Sequence, residues 1–386
     1  MMKKAAAALC SAVFLIVGCL SGCSTQRTAL TVGGAEINSE VYVYFLDLAA
    51  RELSAAADAG QPDSSVPAET VPESAAPAVA TPTDPTAPAG EPAATAADAR
   101  NTTSAASAGS VDLQSLYDRA AELCADYVAV NSLFAAYDCT LSVEEKSTAS
   151  VRANDLWRLY GSYYESLGVS KQTLYKIEYN SVCRDAVLDA LYGADGAEPV
   201  PEAEVRKYYE DHHIVFRAIS GYYTDIDEDG NTVPMSDEQR AATDSTFASM
   251  ADRINAGTDM DTVYNDYLES LGNEEPNETV SVRVASSADQ GYPEGFFETV
   301  HALEQDKASV VRLGDYIYVI VRMDPYTGDS VYYEENKAQS LRKLKAEDFK
   351  AVVRQCAEEY EITVRESVQK SCLRKVRGQH EDVIFE

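Results

Sequence analysis

Val200-Pro201-Glu202-Ala203-Glu204-Val205-Arg206-Lys207-Tyr208-Tyr209 leads through Glu210-Asp211-His212-His213 into Ile214-Val215-Phe216-Arg217-Ala218-Ile219-Ser220, and the chain changes its period inside this stretch. Pro199 and Pro201 fit the entry to a helix, where a missing N–H costs nothing. A short helix is predicted from Glu202 to about Glu210. From 213 to 226 the pattern becomes β-rich, with Ile214, Val215, Phe216, Ala218 and Ile219 followed by Tyr222-Tyr223-Thr224. A helix that hands over to a strand, with helices upstream, argues for an α+β chain.

Moving outward toward the C-terminus, Asp227-Glu228-Asp229-Gly230-Asn231 reads as a turn, and Ser236 with Gln239 forms a capping box opening a helix to Gly257. A second helix covers about 259–271, and 279–285 reads as a strand. Val310–Leu313 and Tyr316–Arg322 are two strands joined at Gly314-Asp315. A long amphipathic helix is predicted over roughly 332–360, and 362–376 closes the chain with a short helix. Toward the N-terminus, helices are predicted over 111–137, from the Ser142/Glu145 capping box to Leu167, and from Ser170 to Gly193. Ala29–Ile37 reads as a hairpin turned by Gly33-Gly34, followed by a helix capped by Asn38 or Ser39. Residues 55–110 carry eight of the 14 prolines among Ala, Thr and Ser; with little to bury, they are expected to be a disordered insertion between folded parts.

The first residues describe export. Lys3 and Lys4 precede an apolar run from Ala5 to about Leu20, which ends at Leu20-Ser21-Gly22-Cys23. These four residues resemble a bacterial lipobox. That resemblance implies cleavage of residues 1–22, lipid attachment at Cys23 and tethering to the extracytoplasmic face of the cell membrane. A formal charge of −31 argues against nucleic acid, whose phosphates need Lys and Arg. It also argues against adhesion to anionic lipid, so the anchor would do the tethering. Cys124, Cys139, Cys183, Cys356 and Cys372 are scattered without CxxC spacing and read most simply as buried apolar positions.

The order of elements resembles the PrsA/SurA type of secreted foldase. Val32-Gly33-Gly34-Ala35-Glu36-Ile37-Asn38 matches the opening hairpin of that family, Val200–Tyr209 the segment before its isomerase domain, and Glu361-Ile362-Thr363-Val364-Arg365 its closing segment. The resemblance implies a discontinuous helical chaperone domain with an inserted parvulin-like α+β domain. Its boundaries would be 23–54 for the anchor and start of the chaperone domain, 111–211 for its main part, 212–326 for the parvulin-like domain and 327–386 for the returning helix. Parvulins carry two histidines in their pocket. Here Phe216-Arg217-Ala218-Ile219-Ser220 places Ala218 in the first slot, and Tyr316–Val321 places Tyr318 in the second. Reading His213-Ile214-Val215 as the first strand is the alternative, leaving three residues after Tyr209. Tyr292–Phe297 matches the family's apolar segment, so Ile219, Phe296, Phe297 and Tyr318 are the candidate peptide contacts.

Proline isomerisation faces an amide barrier of about 18–20 kcal/mol. A pocket without its imidazoles can hold a chain but not fix the twisted amide. The resemblance therefore implies a membrane-tethered chaperone for unfolded or exported polypeptides with weak or lost isomerase activity. An active parvulin-type isomerase using His213 is the alternative. A solute-binding lipoprotein would need more alternation of strand and helix. No cofactor is expected, since no GxSxG, HExxH, Walker or GxGxxG motif occurs. No metal is expected either: Asp225–Asn231 resembles half a calcium loop, but Ser236 stands where calcium needs a Glu. His212-His213 has no third ligand nearby, and adjacent strand residues point apart.

Overall fold

The computed structural model of the protein describes residues 27–59, 110–326, 332–380 and 383–386. The export signal, Cys23 and residues 60–109 of the expected insertion lie outside the described residues. The chain forms two compact units: the part up to Leu191 together with Ala346–Glu386, and Tyr192–Lys345.

In the first unit, β1 (Thr28–Val32) and β2 (Ala35–Asn38) form an antiparallel hairpin. Gly33 and Gly34 turn it at φ 53° and 87°, a region that suits glycine. The Asn38 side chain then accepts from Glu40 N and Val41 N, which starts α1 (Ser39–Ala59). This helix runs past residue 54, where the insertion was expected to begin. Its last turns are mainly alanine, a strong helix former that composition alone reads as linker. After β3 (Ser110–Val111) come α2 (Leu113–Ala136), α3 (Val143–Leu167) and α4 (Lys171–Tyr192), the second opened by the expected Ser142/Glu145 capping box.

The second unit begins with α5 (Glu202–His212) leading into β4 (His213–Tyr222). A small hairpin, β5 (Thr224–Ile226) and β6 (Thr232–Pro234), precedes α6 (Asp237–Asn255), which has its Ser236/Gln239 capping box, and α7 (Met260–Ser270). Then follow β7 (Val282–Ser286), α8 (Phe296–His301), β8 (Ala308–Leu313), β9 (Tyr316–Met323) and α9 (Tyr332–Leu344). The four longer strands make one antiparallel sheet in the order β7-β4-β9-β8. Helix α9 packs on α5, where Tyr333 donates to the Glu202 carboxylate at 2.8 Å.

The chain then returns to the first unit as α10 (Ala346–Ala357), β10 (Ile362–Val364), α11 (Glu366–Arg377) and β11 (Ile384–Phe385). The single helix expected over 332–360 is thus broken at Lys345. Tyr333 and Leu341 are buried in one unit and Phe349 and Val353 in the other, so neighbouring apolar stripes serve different cores. Strand β10 pairs antiparallel with β1, Thr363 opposite Thr31, and β11 pairs parallel with β3. Helix α1 packs on α2 and α11, and α2 also packs on α10. None of the five described cysteines forms a disulfide, and all but half-buried Cys139 are buried. Burial pushes the thiols of Cys183 and Cys372 up to about 11.

The sheet of the second unit separates two apolar layers. Ile219, Ile317 and Val319 face α6 and α7 with Phe247, Met250 and Val263. Ile214, Phe216, Ala218, Tyr318 and Ile320 face the opposite way, with Phe296 and Val300 of α8. Period-two alternation along β4 and β9 makes this division. A Cβ at Gly221 would overlap the Phe247 ring, whose exposure is 0%. Gly221→Ala is therefore expected to destabilise the second unit by about 1–3 kcal/mol, read as a fall in its urea midpoint. No fall would mean that Phe247 shifts freely.

Candidate functional site

Strand pairing brings the two expected histidine slots together. Ala218 lies opposite Ile320, and Ser220 lies opposite Tyr318, so Ala218 and Tyr318 share one face of the sheet. Phe296 joins them there and Phe297 packs at the margin. Ile219 does not: its side chain belongs to the layer beneath α6 and α7. Ile219 is therefore corrected from peptide contact to core residue, because neighbouring positions on a strand alternate between faces.

The space around the slots is filled rather than hollow. Tyr292 stacks on Phe296 with ring centroids 4.3 Å apart, and Phe296 meets Tyr318 and Phe216 edge-on, each at 5.4 Å. Phe216 also meets Tyr292 at 5.9 Å. Phe296, expected as a peptide contact, is only 2% exposed. Phe216 and Tyr292, which sequence reasoning passed over as contacts, close the cluster. The signal available was the even spacing of Ile214, Phe216 and Ala218. Burial raises the Tyr318 phenol well above its ordinary range.

Two accessible surfaces border this cluster. At one end Tyr318 stacks on Tyr316 at 6.0 Å and Tyr316 meets Tyr222 at 5.4 Å, with Tyr222 and Tyr316 exposed. Beside the cluster, a groove of about 340 Å³ is lined by Ala285, Ser286, Tyr292, Pro293, Phe296 and Phe297, with Asp289, Glu294 and Glu298 also on its wall. Gly295, at φ 77°, makes the turn that enters α8. Aromatic rings with an adaptable polar margin suit contact with a varied polypeptide at low entropic cost. In the slots themselves a methyl group offers no hydrogen bond, and the Tyr318 phenol has one hydroxyl to donate.

The histidines of the second unit, His212, His213 and His301, do not stand in these slots. His213 starts β4, stacks on Tyr209 at 4.6 Å and places Nδ1 3.3 Å from the Tyr209 carbonyl. Burial lowers its pKa. His301 Nε2 is 2.8 Å from the Glu210 carbonyl, and its ring stacks on Phe297 at 5.6 Å. His213 and His301 both line a second pocket, of about 460 Å³, together with Glu210, Arg322 and Tyr326. There Arg322 donates to the His301 and Leu303 carbonyls at 2.6 and 3.1 Å, and Tyr326 donates to the Glu210 carboxylate at 2.8 Å. Among the described residues, no group of three or more His, Cys, Asp or Glu is placed to hold a metal. In the half calcium loop, the Asp227 carboxylate accepts from Asp229 N and Asn231 N, at 3.0 and 2.8 Å, and so serves the turn. No described helix is long and apolar enough to cross a membrane.

No family model matches the chain, and no curated protein matches it. Among solved structures, the foldase protein PrsA of Streptococcus pneumoniae is similar at 14% identity and a TM-score of 0.32, over 68% of this chain and 95% of that one. The foldase protein PrsA of Lactococcus lactis is similar at 14% identity and 0.34, over 68% and 89%. A peptidylprolyl isomerase, PrsA of Bacillus cereus, is similar at 16% identity and 0.25, over 67% and 90%.

Proposed function

We propose that this chain is a membrane-tethered extracytoplasmic chaperone that binds non-native exported polypeptides, with isomerase activity weak or lost. In this reading Cys23 carries the lipid. The helical unit and the parvulin-like domain at 212–326 act together without ATP. The observation that supports it best is the aromatic layer around Ala218 and Tyr318, where Phe216, Tyr292 and Phe296 pack ring on ring beside Tyr318, and a methyl group and a phenol stand where the two histidines were expected. Phe297, Tyr292, Tyr222 and Tyr316 are the side chains proposed to touch a client, with Tyr318 behind them. Phe296 is proposed as their support, because it is buried.

Residues 24–386 are expected to suppress aggregation of a chemically denatured client at stoichiometric amounts, followed by light scattering. They are expected to leave the rate of a protease-coupled proline-peptide assay near its uncatalysed value. No suppression would remove the chaperone reading. An active parvulin-type isomerase is the second reading, favoured by one observation: His213 and His301 line the same pocket. Clear turnover, lost in His213→Ala, would establish it.

A further inference from the structure

The groove beside the aromatic layer has an uneven charge. Its floor is Tyr292, Pro293, Phe296 and Phe297, and the charged residues on its wall are Asp289, Glu294 and Glu298, all acidic. The Asp289 carboxylate already accepts from Ser286 N at 2.6 Å, so it is fixed in place by the turn. Glu294 and Glu298 are exposed and free to follow a ligand. Arg283, the nearby base, interacts with Tyr292 and is not among the groove-lining residues. An apolar floor under an acidic wall matches a segment that carries an apolar or aromatic residue beside a cation. An acidic segment entering the same groove would meet like charge in a partly desolvated place, where repulsion is stronger than in bulk water.

We infer that this groove selects cationic apolar segments, meaning unfolded stretches in which an aromatic, leucine or proline residue is flanked by Lys or Arg. The inference rests on the chaperone reading and adds its substrate class. The groove floor supplies burial, and the wall supplies discrimination. Phe297 is half-buried at the groove and contributes contact area, whereas Glu294 and Glu298 set the sign of the preferred charge.

The test uses residues 24–386 and three labelled unfolded peptides that share a Leu-Phe-Pro centre and differ in flanks of Lys, Ser or Glu, with anisotropy as the readout. At low salt the Lys peptide is expected to bind roughly tenfold more tightly than the Glu peptide, and high salt should bring the two together. In Glu294→Gln/Glu298→Gln the ratio should fall to about twofold, because two nearby wall charges are gone. Glu269→Gln/Glu274→Gln removes two exposed carboxylates outside the groove and should leave the ratio unchanged. Equal binding of all three peptides would overturn the inference while leaving the chaperone reading standing. So would a ratio that survives in the wall variant, or one that falls equally in the control, which would assign the preference to net charge. Binding of none of the three, together with no suppression of client aggregation, would remove both.

Discussion

Asp47→Ala is expected to lower the stability of the helical unit by about 3 kcal/mol, the lower end of what breaking a buried charge pair costs. Asp47 is 1% exposed and sits on α1. Its carboxylate accepts from Tyr163 Oη at 2.6 Å, from His380 Nε2 at 2.9 Å and from Arg51 at 2.9 Å. Three elements distant in sequence thus meet at one side chain: α1, α3 and the segment after α11. The Arg51 side chain is 36% exposed, so water relieves part of its lost partner and holds the expected cost near the lower end. Tyr163→Phe removes a single hydrogen bond and is expected to cost about 1 kcal/mol, and His380→Ala removes one hydrogen bond together with the edge-on contact of its ring with Phe385 and is expected to cost about 1–2 kcal/mol. Urea unfolding monitored by far-UV circular dichroism orders the three variants. A midpoint for Asp47→Ala no lower than that of Tyr163→Phe would mean that the carboxylate is not the hub.

That hub was illegible in the sequence. Asp47 and His380 are separated by 333 positions, and neither lies in a motif. Local signals fared better because they are settled by near neighbours. Gly33-Gly34, Asn38 and the two capping boxes each act within four residues, and the structure has all of them. The change of period at His213 likewise marks the start of β4. Which face of β4 meets which helix depends on partners from 247 and 296, so the sequence could place Ala218 and Ile219 side by side but not assign them to opposite layers. The break at Lys345 escaped for a related reason. Both halves of 332–357 are amphipathic, and periodicity reports that a face is buried without saying in which core.

Phe296→Ala and Phe297→Ala should part company, although the two residues are adjacent and both were read as peptide contacts. Phe296 is 2% exposed and touches Phe216, Tyr292 and Tyr318. Its truncation removes the ring that locks α8 onto the sheet and leaves a cavity, so a loss of about 3–5 kcal/mol is expected. The surrounding rings can relax only partly, because Tyr318 and Phe216 are held by strand pairing on both sides. Phe297 is half-buried at the edge of the same layer and lines the groove. Its truncation should cost roughly 1 kcal/mol of stability, since less area leaves water on folding. Peptide affinity should then fall in Phe297→Ala while the urea midpoint stays close to that of the parent. In Phe296→Ala the midpoint should fall first and binding be lost with the fold. If Phe297→Ala bound peptides as tightly as the parent protein, the groove would not be where clients are held. The exposed pair Tyr222 and Tyr316 would then be the surface to truncate next, since their rings continue the same layer through Tyr318.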